Sequence, residues 1–147
     1  MLFNDIVYYL SRRRQLAYLL SEGIIHKQML QILNRVVGKK RISSVCIPWR
    51  GLPNPDLTTF WRSMQDFLDG TPGRAIILGL NGFHDHWTVV ESITNRSIFL
   101  YDSALIKRLP RSTCTTVYPT GKRKHLLLPA QTYFLSNENM VANNRYT

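Results

Sequence analysis

A chain of 147 residues with 44% hydrophobic side chains is long enough for one domain with a sizeable core and short for two. No run approaches about 18 consecutive apolar residues, which argues against a membrane-spanning helix, and the opening "MLFNDIVYYLSRRR" places its charges after its short apolar part, the reverse of a secretory signal. The expected location is the cytoplasm, and Cys46 and Cys114, too few for a disulfide framework or a four-ligand zinc site, are expected to be reduced. The net charge of +10 is uneven: residues 1–50 carry nine Lys/Arg against two Asp/Glu (+7), residues 51–104 three against six (−3), and residues 105–147 seven against one (+6). The basic clusters "SRRRQ", "GKKR" and "GKRKH" suit a solvated surface, or else attract phosphates or an acidic partner, although no nucleic-acid-binding motif accompanies them.

Helices come first. "NDIVYYLSRRRQLAYLLSEG" spaces Ile6, Leu10, Ala17 and Leu20 along one face and reaches Gly23, a residue suited to a left-handed cap. "IIHKQMLQILNRVVGKK" repeats the pattern through Ile25, Met29, Ile32 and Val36 and ends at Gly38 with a basic last turn. "RISSVCIPW" is β-rich and stops at Pro48, which predicts a short strand. In "GLPNPDLTTFWRSMQDFLDG", Asn54 is the expected N-cap and Pro55 the first helical residue, with Phe60, Met64, Phe67 and Leu68 on one face.

From residue 74 the period becomes that of strands. "RAIILGL", "HWTVVESI", "RSIFLYDS", "KHLLLP" and "QTYFL" are short β-rich runs separated by turn residues. Helices followed by an antiparallel sheet predict an α+β fold. One domain is expected over residues 1–136, with 137–147 as a flexible tail. The apolar stripe of Phe60, Met64 and Phe67 is expected to cover the sheet face that carries Trp87, Val89 and Phe99. Trp49, Trp61 and Trp87 suit core or groove-wall positions.

The stretch "HDHWTVVESITNRSIFLYDS" carries the most chemistry. If "TNR" is a three-residue loop, numbers paired across the strands sum to 190, as Ile93 with Ser97, and His86 lies diagonally beside Asp102 on one face. A two-residue loop makes the sum odd and parts them. A histidine oriented by a carboxylate is the base-and-orienter half of a nucleophilic triad, because the acid fixes the imidazole tautomer and stabilises its protonated form. Two plainer readings stand beside it. His86 is then a satisfied strand-start histidine and Asp102 a cap of the following turn, or His84, His86 and Asp102 contribute to a metal site that lacks a full ligand set.

The arrangement "RAIILGL…HWTVVESI…SIFLYDS", over roughly residues 56–135, resembles the papain-like cysteine peptidases, and among them the bacteriocin-processing, or double-glycine-leader, peptidase-like group. The resemblance implies a papain-like fold with His86 as general base and Asp102 as its orienting acid. It also implies a nucleophilic cysteine at the start of the first long helix, with a glutamine nearby for the oxyanion hole. The chain departs from that pattern, since residues 1–45 contain no cysteine and "FNDIVYY" has neither a Cys-Gly pair nor a preceding glutamine. Cys46 sits in an extended segment. Cys114 follows His86 and Asp102 in the order of the ubiquitin-like-protein peptidases, but "RSTCTTVYP" lacks their Asp-Cys-Gly helix start.

The expected function is therefore a degenerate peptidase-like module that binds a peptide or protein segment without cleaving it. The alternatives are an active cysteine peptidase, with Cys46, Cys114 or a residue upstream of Met1 as nucleophile, and a basic protein that binds nucleic acid or another polyanion. No cofactor, metal or membrane partner is expected, and the sequence leaves the oligomeric state open.

Overall fold

The computed structural model describes residues 26–37, 44–82, 86–102 and 105–137. The expected first helix, His84 and Asp85, and the tail from residue 138 lie outside the described residues. Among the described residues two helices, α1 (His26–Val37) and α2 (Leu57–Leu68), accompany eight strands. These are β1 (Ser44–Cys46), β2 (Arg74–Gly82), β3 (His86–Ile93), β4 (Ser97–Tyr101), β5 (Arg108–Pro110), β6 (Cys114–Thr115), β7 (His125–Leu127) and β8 (Tyr133–Ser136). They form one sheet in the order β1-β8-β2-β3-β4-β5, with β7 on β2 and β6 on β7. Every pairing is antiparallel except β6 with β7. The fold class is α+β.

Strand β2 organises the sheet because its second edge is shared. Arg74–Ile77 pair with β8, while Leu80–Gly82 pair with β7. The chain between those two partners crosses β2 at Gly79, where a Cβ would stand 3.0 Å from the Gln131 carbonyl oxygen and 3.3 Å from the Leu128 Cβ. Only glycine leaves room for that crossing. Trp87 lies opposite Gly79 on β3, and its indole N–H donates to the same Gln131 oxygen at 3.0 Å. At the β7 end the sheet curls. β5 and β6 stand at the two ends of the path β5-β4-β3-β2-β7-β6, yet a single 3-10 turn, Arg111–Thr113, joins them. Leu109 and Cys114, one on each side of that turn, are buried in one cluster.

Both sheet faces are covered, but not as the sequence suggests. Phe60, Trp61 and Met64 of α2 are fully buried against Ile76, Leu78, Val90 and Leu100, the face that also carries His86 and Asp102. The expected docking on Trp87, Val89 and Phe99 is wrong. Trp87 instead packs with α1, whose Met29, Ile32 and Leu33 cover Ile77, Tyr133 and Leu135. The physical reason lies in composition across strands rather than along one. Ile76, Leu78, Ile98 and Leu100 make a continuous aliphatic layer, whereas Val89 and Tyr101, which pair directly, are 38% and 67% exposed. The α2 cap also shifts. Asp56, not Asn54, is the N-cap, accepting from the Thr59 amide at 3.0 Å and its hydroxyl at 2.7 Å. Asn54 instead donates to the Thr116 carbonyl at 3.4 Å.

The β3–β4 hairpin corrects the loop prediction. Thr94 and Ser97 close a two-residue loop, Asn95–Arg96, with the Thr94 amide donating to the Ser97 carbonyl at 2.9 Å and the Thr94 hydroxyl accepting from the Ser97 amide at 3.1 Å. Next to it Ile93 faces Ile98 and Ser92 faces Phe99, so the sum is 191 there. A bulge at Glu91 then adds one residue to β3, and Val90 faces Leu100 with the sum at 190. The bulge lets Val90 and Ile93, three apart, both face α2 opposite Leu100 and Ile98. It also returns the register to even before His86 is reached.

Candidate acid–base site

His86 opens β3 opposite Leu80, which on its other edge faces Leu127. Asp102 follows Tyr101, the last residue of β4. With Val89 opposite Tyr101, position 102 stands across from Thr88, and His86 lies one diagonal step further on the same face. The side chains meet: His86 Nε2 is 2.6 Å from Asp102 Oδ2. A separation that short is typical of a charge-assisted hydrogen bond.

Burial divides the pair unequally. The Asp102 side chain is fully enclosed, while 23% of the His86 side chain remains exposed. A carboxylate taken out of water is costly unless it is hydrogen-bonded, so the imidazole is a structural partner as well as a chemical one. Thr88, between them on the face, is buried, and its hydroxyl donates to the Tyr101 carbonyl at 3.3 Å. The Leu105 amide approaches the Asp102 carbonyl at 3.4 Å, and Leu105 has φ +64°, a conformation that a branched side chain rarely adopts.

In a pair of this kind an imidazole can act as a base through the ring nitrogen that the acid does not hold. The arrangement carries no nucleophile by itself, and neither cysteine supplies one. Cys46, exposed on β1, aligns through Phe134 and Ile76 with Val90. Three strand spacings and four residues along β3 put it about 20 Å from His86. Cys114 is buried and its Sγ–H donates to the Pro110 carbonyl at 3.3 Å; burial pushes its thiol up to about 12. It is a small core residue. Helix starts do not serve either. The α2 start lies at the other end of the hairpin, where Thr58 meets Arg111 and Trp61 meets Thr94, and α1 lies across the sheet from His86. Among the described residues, then, no cysteine stands at a helix start beside His86.

Among the described residues no group of three His, Cys, Asp or Glu is placed to hold a metal ion. Nor is any described helix long and apolar enough to cross a membrane. Comparison with protein-family models, with curated proteins and with solved structures found no match.

Proposed function

We propose that the protein is a papain-like, cysteine-peptidase-like domain that binds a peptide or protein segment at the His86 end of its sheet without cleaving it. One observation carries this reading: an imidazole, partly open to solvent, is held at 2.6 Å by a fully enclosed carboxylate on the neighbouring strand. That is the base-and-orienter half of a triad, and it agrees with the resemblance of "HWTVVESI…SIFLYDS" to papain-like peptidases. His86 presents a hydrogen-bonding group to an extended segment, and Asp102 fixes the ring. In this reading the domain works in the cytoplasm, with both thiols free.

The test is panning of a displayed random-peptide library on the full chain, with recovered peptides remeasured against His86→Ala. Enriched peptides whose affinity falls about tenfold or more in the variant are expected. No enrichment, or binding indifferent to His86, overturns the proposal. Incubating the same peptides with the protein separates binder from enzyme. Cleavage lost in His86→Ala, together with iodoacetamide labelling of Cys46 or Cys114 at pH 6 that depends on His86, would establish the active peptidase instead.

A further inference from the structure

At the opposite end of the β3–β4 hairpin, more than about 20 Å from His86 along β3, four segments distant in sequence line an open pocket of about 610 Å³. Arg96 comes from the two-residue loop, Arg111 from the 3-10 turn and Arg123 from the loop before β7; Asp56 and Thr58 come from the start of α2. We propose that this pocket binds the phosphate group of a small phosphorylated ligand, or free phosphate, through these three arginines.

Charge and geometry both support it. The lining holds three guanidinium groups against one carboxylate, and that carboxylate is committed to the α2 cap, accepting from the Thr59 amide and hydroxyl. Arg111 is held in place: it lies over the Trp61 ring at 5.4 Å, and donates to the Thr58 hydroxyl at 2.9 Å and the Asn95 carbonyl at 3.5 Å. Two of its five N–H groups are so used, leaving a guanidinium whose orientation is set before a ligand arrives. Among the described residues neither the Arg96 nor the Arg123 guanidinium makes a hydrogen bond or ion pair, and both residues are exposed. The fork of a guanidinium matches two oxygens of a phosphate, and arginines from three segments lining one pocket can together offer such forks to a single tetrahedral dianion. The positive end of the α2 dipole adds to the same field. Convergence on one concavity favours a discrete anion over a polynucleotide, which needs cations strung along a groove and aromatic faces for its bases. Trp61, the aromatic ring beneath Arg111, is fully buried and offers no such face.

The experiment is calorimetric titration of the full chain with inorganic phosphate and with a phosphorylated sugar, each against chloride at matched ionic strength to remove general screening. Saturable binding to at least one of them is expected, weakened about tenfold or more in Arg96→Gln and in Arg123→Gln. The preferred probe tells free phosphate from a phosphorylated ligand. Asp56→Asn keeps a residue equally able to cap α2 while removing the carboxylate, so it should tighten binding. Circular dichroism melts confirm that each variant is folded. No saturable binding by either probe, or binding unchanged in both arginine variants, overturns the proposal. So does a single-stranded oligonucleotide that binds the same chain far more tightly than either probe and is unaffected by Arg96→Gln, since the basic surface elsewhere would then be the binder.

Discussion

The two ends of the β3–β4 hairpin are built on different principles. At the turn, the polar groups facing α2 serve structure: Trp61 donates to the Thr94 carbonyl at 2.7 Å, Gln65 to Asn95 at 3.1 Å, and the Thr94 hydroxyl caps the loop. At the other end, a fully enclosed carboxylate holds a histidine that still reaches solvent. Between them lies the extra residue at Glu91. The bulge lets each end keep its own register, so the loop is chosen for turn chemistry and the acid–base pair for its face, without either dictating the other.

Single-residue deletions break that comparison most sharply. Removing Glu91 takes out the bulge and leaves every cross-strand pair on either side in place, so His86 should still meet Asp102 and stability should change by about 1 kcal/mol or less. Removing Val89, only two positions away, turns His86 and Thr88 to the opposite face while Asp102 stays. It also disturbs the β2 ladder that pairs Ile77 with Val89. That deletion should abolish the cooperative fold. Urea unfolding of the two proteins checks this, and equal effects would refute the separating role of the bulge.

Trp61→Ala attacks the turn end alone. The side chain is fully buried and its N–H is bonded, so a loss of about 3–5 kcal/mol is expected from denaturant unfolding. At the other end, His86→Ala takes a hydrogen-bond partner from an enclosed carboxylate and should cost about 1–3 kcal/mol, whereas Asp102→Ala leaves an imidazole that water already reaches and should cost less. The double variant should lose less than the sum of the single ones, the coupling expected of direct partners. Additive losses would mean that the contact contributes little.

The last expected effect is alkaline and gradual, small per pH unit and accumulating over several. Burial pushes the Cys114 thiol from 9.0, and the Tyr133 phenol from 10.0, each up to about 12. Both groups hold their proton more tightly when folded. The stability they contribute is complete below pH 9 and lost as pH rises towards 12. Unfolding free energy should therefore fall by about 1.4 kcal/mol per pH unit from pH 9 through Cys114, and more steeply from pH 10 as Tyr133 joins. Urea midpoints between pH 8 and pH 11 read this directly, and Cys114→Ala should keep the curve flat until pH 10.

Much of the fold was legible because its signals are local. Met29 and Ile32 at helical spacing, Gly70 with φ +62° after α2, and the β-rich runs from residue 74 each mark an element on their own. The proximity of His86 and Asp102 was also legible, but through a wrong intermediate. A three-residue loop was expected, and a two-residue loop with a bulge gives the same face. A bulge has little sequence signature when its residue, like Glu91, is polar and exposed in any register. The strands β5 and β6, three and two residues long, are too short to show a period. The arginine pocket was invisible for a related reason: Arg96 and Arg111 stand alone in sequence, and only the curl of the sheet brings them to Arg123.

That curl also bears on self-association. The long strands β2, β3 and β4 each have neighbours on both edges. Among the described strands, the borders of the sheet fall to β1, β5 and β6, none longer than three residues, and β5 ends in Pro110, which has no amide hydrogen to offer. A foreign strand seeking to extend the ladder finds at each border only a few unpaired backbone groups, too few to template growth. Among the described strands, at least, none offers a long open border on which a second copy could pair edge to edge.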